Sequence, residues 1–165
     1  MKRALLVLML LAACREETAA LPDPVPLTEE AVGHYCQMDL FEHPGPKAQV
    51  HYSGLAQPDW FCDTLEMFNV YLNPEQARLV TGMFVQDMGK TDWDKPVANW
   101  IDAKTAIYVI GSKRLGSMGP TAASFSSEAD AQAFAAQHGG KVLKFDEVKP
   151  DMVILDGGAL HDQSM

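Results

Sequence analysis

The sequence lacks most of what enzymatic and nucleic-acid chemistry requires. Only three of its 165 residues are cysteine, and 13 Lys and Arg stand against 22 Asp and Glu, a net charge of −9. An acidic body has no basic face for phosphates, which excludes nucleic acid as a partner. No apolar run reaches the roughly eighteen residues of a membrane-spanning helix. There is no glycine-rich loop leading into Lys-Ser/Thr and no Gly-x-Ser-x-Gly elbow, so the familiar signatures of phosphate binding and serine hydrolysis are missing. What is present is a 47% hydrophobic chain, long enough for one domain or for two small halves sharing a core.

The N-terminus reads as a targeting segment. Lys2 and Arg3 precede the apolar run Ala4–Ala13, the pattern of an export signal. Leu11-Ala12-Ala13-Cys14 resembles the bacterial lipobox, in which the cysteine is acylated and becomes the first mature residue; the alternative is an ordinary signal peptide with an incidental cysteine. Acyl chains on Cys14 would anchor the protein by burying methylenes. Arg15, in place of Asp, favours the outer membrane, facing the periplasm. Loss of residues 1–13 leaves 11 basic and 22 acidic residues, a net charge of −11. It also leaves two cysteines, Cys36 and Cys62, which in an oxidising compartment are a candidate disulfide.

Residues 14–33 form a lipid-anchored linker. Leu21-Pro22-Asp23-Pro24-Val25-Pro26 has proline at every second position, which imposes an extended chain that holds the body off the membrane. In the first half, 34–87, strands are expected at His34–Met38, Ala48–Tyr52 and Leu79–Gln86. A helix should start at Asp63, with Glu66 reaching back as a capping box, and stop at Asn73-Pro74. Gly82 suggests a bulge. A polar stretch separates this half from the second, 98–155. There the expected strands are Ala106–Ile110, Thr121–Phe125, Lys141–Phe145 and a short Val153–Leu155, with a helix capped by Ser127 and ended by Gly139-Gly140. Residues 156–165 are a tail. Each half reads ββαβ, and neither buries its helix and sheet well alone. The fold class is therefore α+β, with two tandem ββαβ units sharing a core.

The candidate site is Cys36-Gln37-Met38. A thiol and a thioether are soft donors, which select Cu(I) and reject Mg and Ca. On an extended backbone residues i and i+2 share a face, so Cys36 and Met38 can meet one ion. Both are also ordinary core residues. Cys62 lies beside a helix start, where a thiol pKa falls; it is a further ligand, a small buried residue, or the partner of Cys36 in a disulfide. His43 and His51 are possible additional nitrogen donors. Met88 is a reserve thioether.

Cys36-Gln37-Met38, Pro44-Gly45-Pro46-Lys47-Ala48-Gln49-Val50, Trp60-Phe61-Cys62, Trp100-Ile101-Asp102-Ala103, Tyr108-Val109-Ile110-Gly111-Ser112 and Ser117-Met118-Gly119-Pro120 together resemble the NosL family. The likeness covers roughly residues 34–147. It implies a pair of ββαβ units, similar to part of the organomercurial lyase. It also implies a periplasm-facing Cu(I) carrier, not an enzyme, that supplies nitrous oxide reductase and works with an ABC-type assembly complex, as a monomer or a metal-linked dimer. The family's metal residues map to Cys36, Met38 and Met118. Two departures stand out. The family reads Cys-Gly-Met where this chain has Gln37, which should add bulk beside the metal, and Pro-Met-Gly where it has Ser117-Met118-Gly119. The alternatives are a periplasmic thiol–disulfide protein using Cys36 and Cys62, which lacks the usual CxxC spacing, and a structural lipoprotein with no metal.

Overall fold

The structure, a computed structural model, describes residues 21–155. The expected lipidation site Cys14 and the tail lie outside the described residues. Seven strands and two helices alternate in the order β1 (Ala48–Tyr52), β2 (Asp59–Phe61), α1 (Thr64–Tyr71), β3 (Val80–Gln86), β4 (Trp100–Asp102), β5 (Ile107–Ile110), β6 (Ala122–Phe125), α2 (Glu128–His138) and β7 (Lys141–Lys144). They form two antiparallel sheets, β2-β1-β3-β4 and β6-β5-β7.

The fold is α+β, and each sheet contains the same ββαβ path. In both, the first strand is central, the second pairs on one side, and the helix returns the chain to pair on the other. β4 is an extra edge strand on the first sheet. The first strand of the first unit is β1, not His34–Met38, which forms a turn held by an isolated bridge between Val32 and Asp39. Consequently the segment after Gly45-Pro46 corresponds to β5, not to the strand after Gly119-Pro120. The second strand is the short β2 that carries Trp60, too brief to show a period in the sequence. The expected Val153–Leu155 strand is absent; a 3-10 turn, Pro150–Met152, precedes irregular chain there.

The layers follow from strand alternation. Ala48, Val50, Phe61, Met83 and Val85 face one way in the first sheet. They meet Leu65 and Phe68 of α1 and Tyr108, Ala122 and Leu143 of the second sheet in one shared core. The opposite face of the second sheet, Val109, Ala123 and Val142, packs on Ala131 and Phe134 of α2 and on Trp93. α2 starts at Ser127, whose side chain accepts from the Asp130 N–H, and ends at Gly139 with φ of 77°. Only glycine takes that conformation cheaply.

Asp87, at the end of β3, joins the units. Its carboxylate accepts from the Ser126 N–H and hydroxyl at 3.1 and 2.5 Å and from Gly89 N–H at 3.1 Å, and Lys90 Nζ lies at 2.9 Å. Burial alone would raise its pKa; these bonds outweigh burial and hold it below the ordinary carboxylate value.

The outer face of the first sheet, containing Gln49, Trp60 and Phe84, is covered by residues that precede β1. Gln49 accepts from the Val25 N–H at 2.8 Å and donates to its carbonyl at 2.9 Å, so the side chain acts as an extra strand residue. A Cβ on Gly82 would meet Pro22 at 2.7 Å. Gly82 therefore makes room for the proline segment. The bulge lies beside it: His51 pairs with Gly82 and Tyr52 with Val80, leaving Thr81 unmatched. From Leu21 onward the linker is docked on the domain rather than a free spacer.

Candidate metal centre

The segment between the docked linker and β1 builds a sulfur-lined site on that outer face. Leu27, Ala31, Leu40 and Cys62 are its buried floor. Cys36, Met38, Phe41, Trp60, Trp100 and Met118 pack against them, all partly buried. Cys36, Met38 and Met118 thus pack against one cluster although Met118 lies 80 positions after Met38.

The Cys36 loop is not extended as expected. Gln37 has φ of 55°, a left-handed conformation unusual for a residue with a side chain. This is a conformation glycine adopts readily, and glycine is the residue the family pattern carries here. Gln37 also adds no bulk beside the sulfurs. Its side chain is exposed and its amide donates to the carbonyls of His34 at 2.8 Å and Gly33 at 3.2 Å. These bonds offset part of the backbone cost. Gly33 is needed for a different reason, since a Cβ there would collide with Cys36 Sγ.

Cys62 sits between β2 and α1, fully buried, with its Sγ 2.7 Å from Cys36 Sγ. The two are not joined in a disulfide. Glu66, one helical turn on, does not close the expected capping box. Its Oε2 accepts from the Cys62 thiol at 3.5 Å, and Cys36, Cys62 and Glu66 have donor atoms within 4.8 Å of one another. The N-cap itself is as expected: Asp63 Oδ1 accepts from Leu65 N–H at 2.8 Å and also from the Thr121 hydroxyl at 2.7 Å. Asp63 Oδ2 is buried and has no hydrogen-bond partner among the described residues.

Beneath the thiols lies Lys47, fully buried, donating from Nζ to the carbonyls of Pro44 at 3.0 Å and Cys62 at 3.1 Å. Its only signal in the sequence is its place just before a β-strand of buried residues. Burial lowers its pKa to about 8, against the attraction of Asp63, Cys62 and Cys36. Burial raises Asp63 to about 7 despite its hydrogen bonds, and raises Glu66 as well. It also pushes the Cys62 thiol up, as do Cys36 and the nearby carboxylates. Apo, the site disfavours free charge of either sign.

Met118 is delivered by the β5–β6 loop. The Ser117 hydroxyl donates to the Cys62 carbonyl. A Cβ on Gly45 would lie 2.8 Å from Gly116 Cα, so the two loops meet backbone to backbone. The other proposed donors lie elsewhere. His51 is on the outer face of β1, bonded to Gln49 Oε1 at 2.9 Å, edge-on to Phe84, with its pKa lowered by burial. Met88 packs in the α2 cluster. His43 is half-buried in the turn before β1, outside the Cys36–Cys62–Glu66 group.

Two ββαβ units with soft sulfur donors gathered on one sheet face define a small α+β protein with a sulfur-lined centre. The chain belongs to the NosL family, whose family model matches residues 24–153. It is 43% identical over 151 residues to the copper-binding lipoprotein NosL of Achromobacter cycloclastes, covering 89% of this chain and 78% of that protein. The copper-binding lipoprotein NosL of Stutzerimonas stutzeri is 37% identical over 156 residues, covering 91% and 80%. The crystal structure of the copper chaperone NosL from Shewanella denitrificans matches with a TM-score of 0.75 at 35% identity, over 78% of this chain and 97% of that one.

Proposed function

We propose that this protein is a membrane-anchored Cu(I) carrier that delivers copper for assembly of nitrous oxide reductase. The observation that carries the reading is that Cys36, Met38 and Met118, all partly buried, pack against one cluster. Thiolate and thioether sulfur prefer Cu(I) over harder ions. Partial exposure suits a carrier that must release its ion by ligand exchange, whereas a closed four-ligand site suits a structural metal. The relatives are a copper chaperone and copper-binding lipoproteins by name, which agrees with the donors and with acylation of Cys14. The protein acts in the periplasm from the outer membrane, with nitrous oxide reductase and an ABC-type complex as partners, and performs no catalysis of its own.

Competition of the protein against a chromophoric Cu(I) chelator tests this. Cys36→Ser is expected to bind far more weakly than wild type; equal affinity would end the reading. A second reading, a thiol–disulfide protein, is favoured by one observation, the 2.7 Å approach of Cys36 and Cys62 sulfurs. It predicts a stable disulfide in protein from its own compartment and no Cu(I) uptake after reduction.

A further inference from the structure

We propose that Cys62 is a second thiolate ligand, so that Cu(I) is held between Cys36 and Cys62 above the buried Lys47 ammonium. The inference rests on the copper reading above and adds a second thiolate to its donor set. Cys62 is not a lone cysteine in a core. Its sulfur lies against that of Cys36, and the Glu66 carboxylate approaches from the third side.

The geometry permits an ion once the pair opens. With metal–thiolate distances of roughly 2.3 Å, two sulfurs on opposite sides of an ion stand about 4.6 Å apart, against 2.7 Å here. Cys62 is fixed between β2 and α1, whereas Cys36 is on a half-exposed turn. The opening therefore falls to Cys36, beside a glycine that leaves the space free of a side chain. Loading breaks two S–H bonds and forms two Cu–S bonds, and both protons leave to solvent. The product carries one negative charge. A buried anion is costly without a partner, and Lys47 supplies the opposite charge, already anchored to the Cys62 carbonyl. Cys36 with two neutral thioethers would instead give a neutral copper centre.

The test uses the full chain in a Cys14→Ser background, reduced and anaerobic, so that only Cys36 and Cys62 remain as thiols. Cu(I) is titrated against a chromophoric chelator, and Cu(I)–thiolate charge-transfer absorbance is read at each step. Cys62→Ala is expected to lose about half the absorbance and to bind more weakly by at least the roughly 10- to 100-fold typical of losing an outer-shell residue. Affinity within threefold of wild type, with absorbance unchanged, would overturn the inference. Weak binding by Cys36→Ser in that same series would leave the carrier reading standing. If wild type fails to bind Cu(I), both fall. Should Cys62→Ala not fold, the protons released on loading the wild-type protein at slightly acidic pH decide, with two per Cu(I) supporting the pair and one refuting it. Protein in which Cys36 and Cys62 are joined as a disulfide should take up no copper; undiminished uptake would also refute it.

Discussion

Gly33→Ala should separate copper binding from stability. Gly33 does not use the left-handed region, so its backbone accepts alanine. The new methyl would meet Cys36 Sγ inside contact distance, while its other neighbours, Cys62 Cβ and N, stand at an ordinary 3.7 Å. The obstacle is the end of one short side chain, which can swing away. Pushing that thiol off its rotamer costs about 0.5–1.5 kcal/mol. The stiffer unfolded chain returns about 0.4–1 kcal/mol. Net stability should change by less than about 1 kcal/mol, a melting shift of a few degrees. Copper loading differs, because Cys36 must open from Cys62 beside Gly33 and the methyl crowds that space. Crowding there overpacks the loaded site by about 1–3 kcal/mol, which weakens Cu(I) binding by roughly 5- to 150-fold. Thermal melts and chelator competition on the same preparation measure both. Unchanged affinity would refute the placement of Cys36 beside Gly33. A loss of affinity accompanied by a large loss of stability would refute the claim that only the thiol moves.

Gln37→Ala should destabilise by about 1–2 kcal/mol, since it forfeits two hydrogen bonds and keeps the left-handed backbone; Gln37→Gly should recover most of that in denaturant melts. Asp87→Ala should cost about 3 kcal/mol by stripping the partner from Ser126, Gly89 and Lys90. Asp87 has a folded pKa below its unfolded value near 3.9. Its contribution is therefore complete above that value and is lost as pH falls through the folded pKa. Asp87→Asn should flatten the acid limb of a stability–pH curve. Met118→Leu should keep stability to within about 1.5 kcal/mol yet reduce Cu(I) affinity in chelator competition, by removing a thioether while preserving volume.

The strands and helices were legible wherever a local rule dominates. Asp63 and Ser127 announce their helices by capping, and Ile107–Ile110 announces itself by β-branching. The short strands were not legible, because β2 and β4 have three residues each. Three residues carry no usable period, and the neighbours they pair with define them. His34–Met38 misled because alternation cannot reveal one residue with positive φ; Gln37 breaks the strand. Of the candidate site, Cys36 and Met38 were suggested by donor chemistry and Met118 by the family pattern. Lys47 and Glu66 did not, because one reads as a surface base and the other as a capping acid. Only burial against the sulfurs gives them a different part.

That part explains why the site needs both units. The first sheet supplies Cys62 and Lys47, and the segment before it supplies Cys36 and Met38. Met118 must arrive from the β5–β6 loop of the second unit. Three contacts fix that loop: Ser117 on the Cys62 carbonyl, Thr121 on Asp63, and the glycine-to-glycine approach of 45 and 116. Two of them end on Cys62 and its neighbour Asp63, the residues that start α1. A shift of the loop therefore moves the thioether and strains the helix start together. Met118 placement is tied to the packing of the two units, whereas Cys36 lies on a partly exposed turn. On the proposed carrier reading, release by exchange uses such a division, because an incoming thiolate must reach the ion before the remaining donors let go.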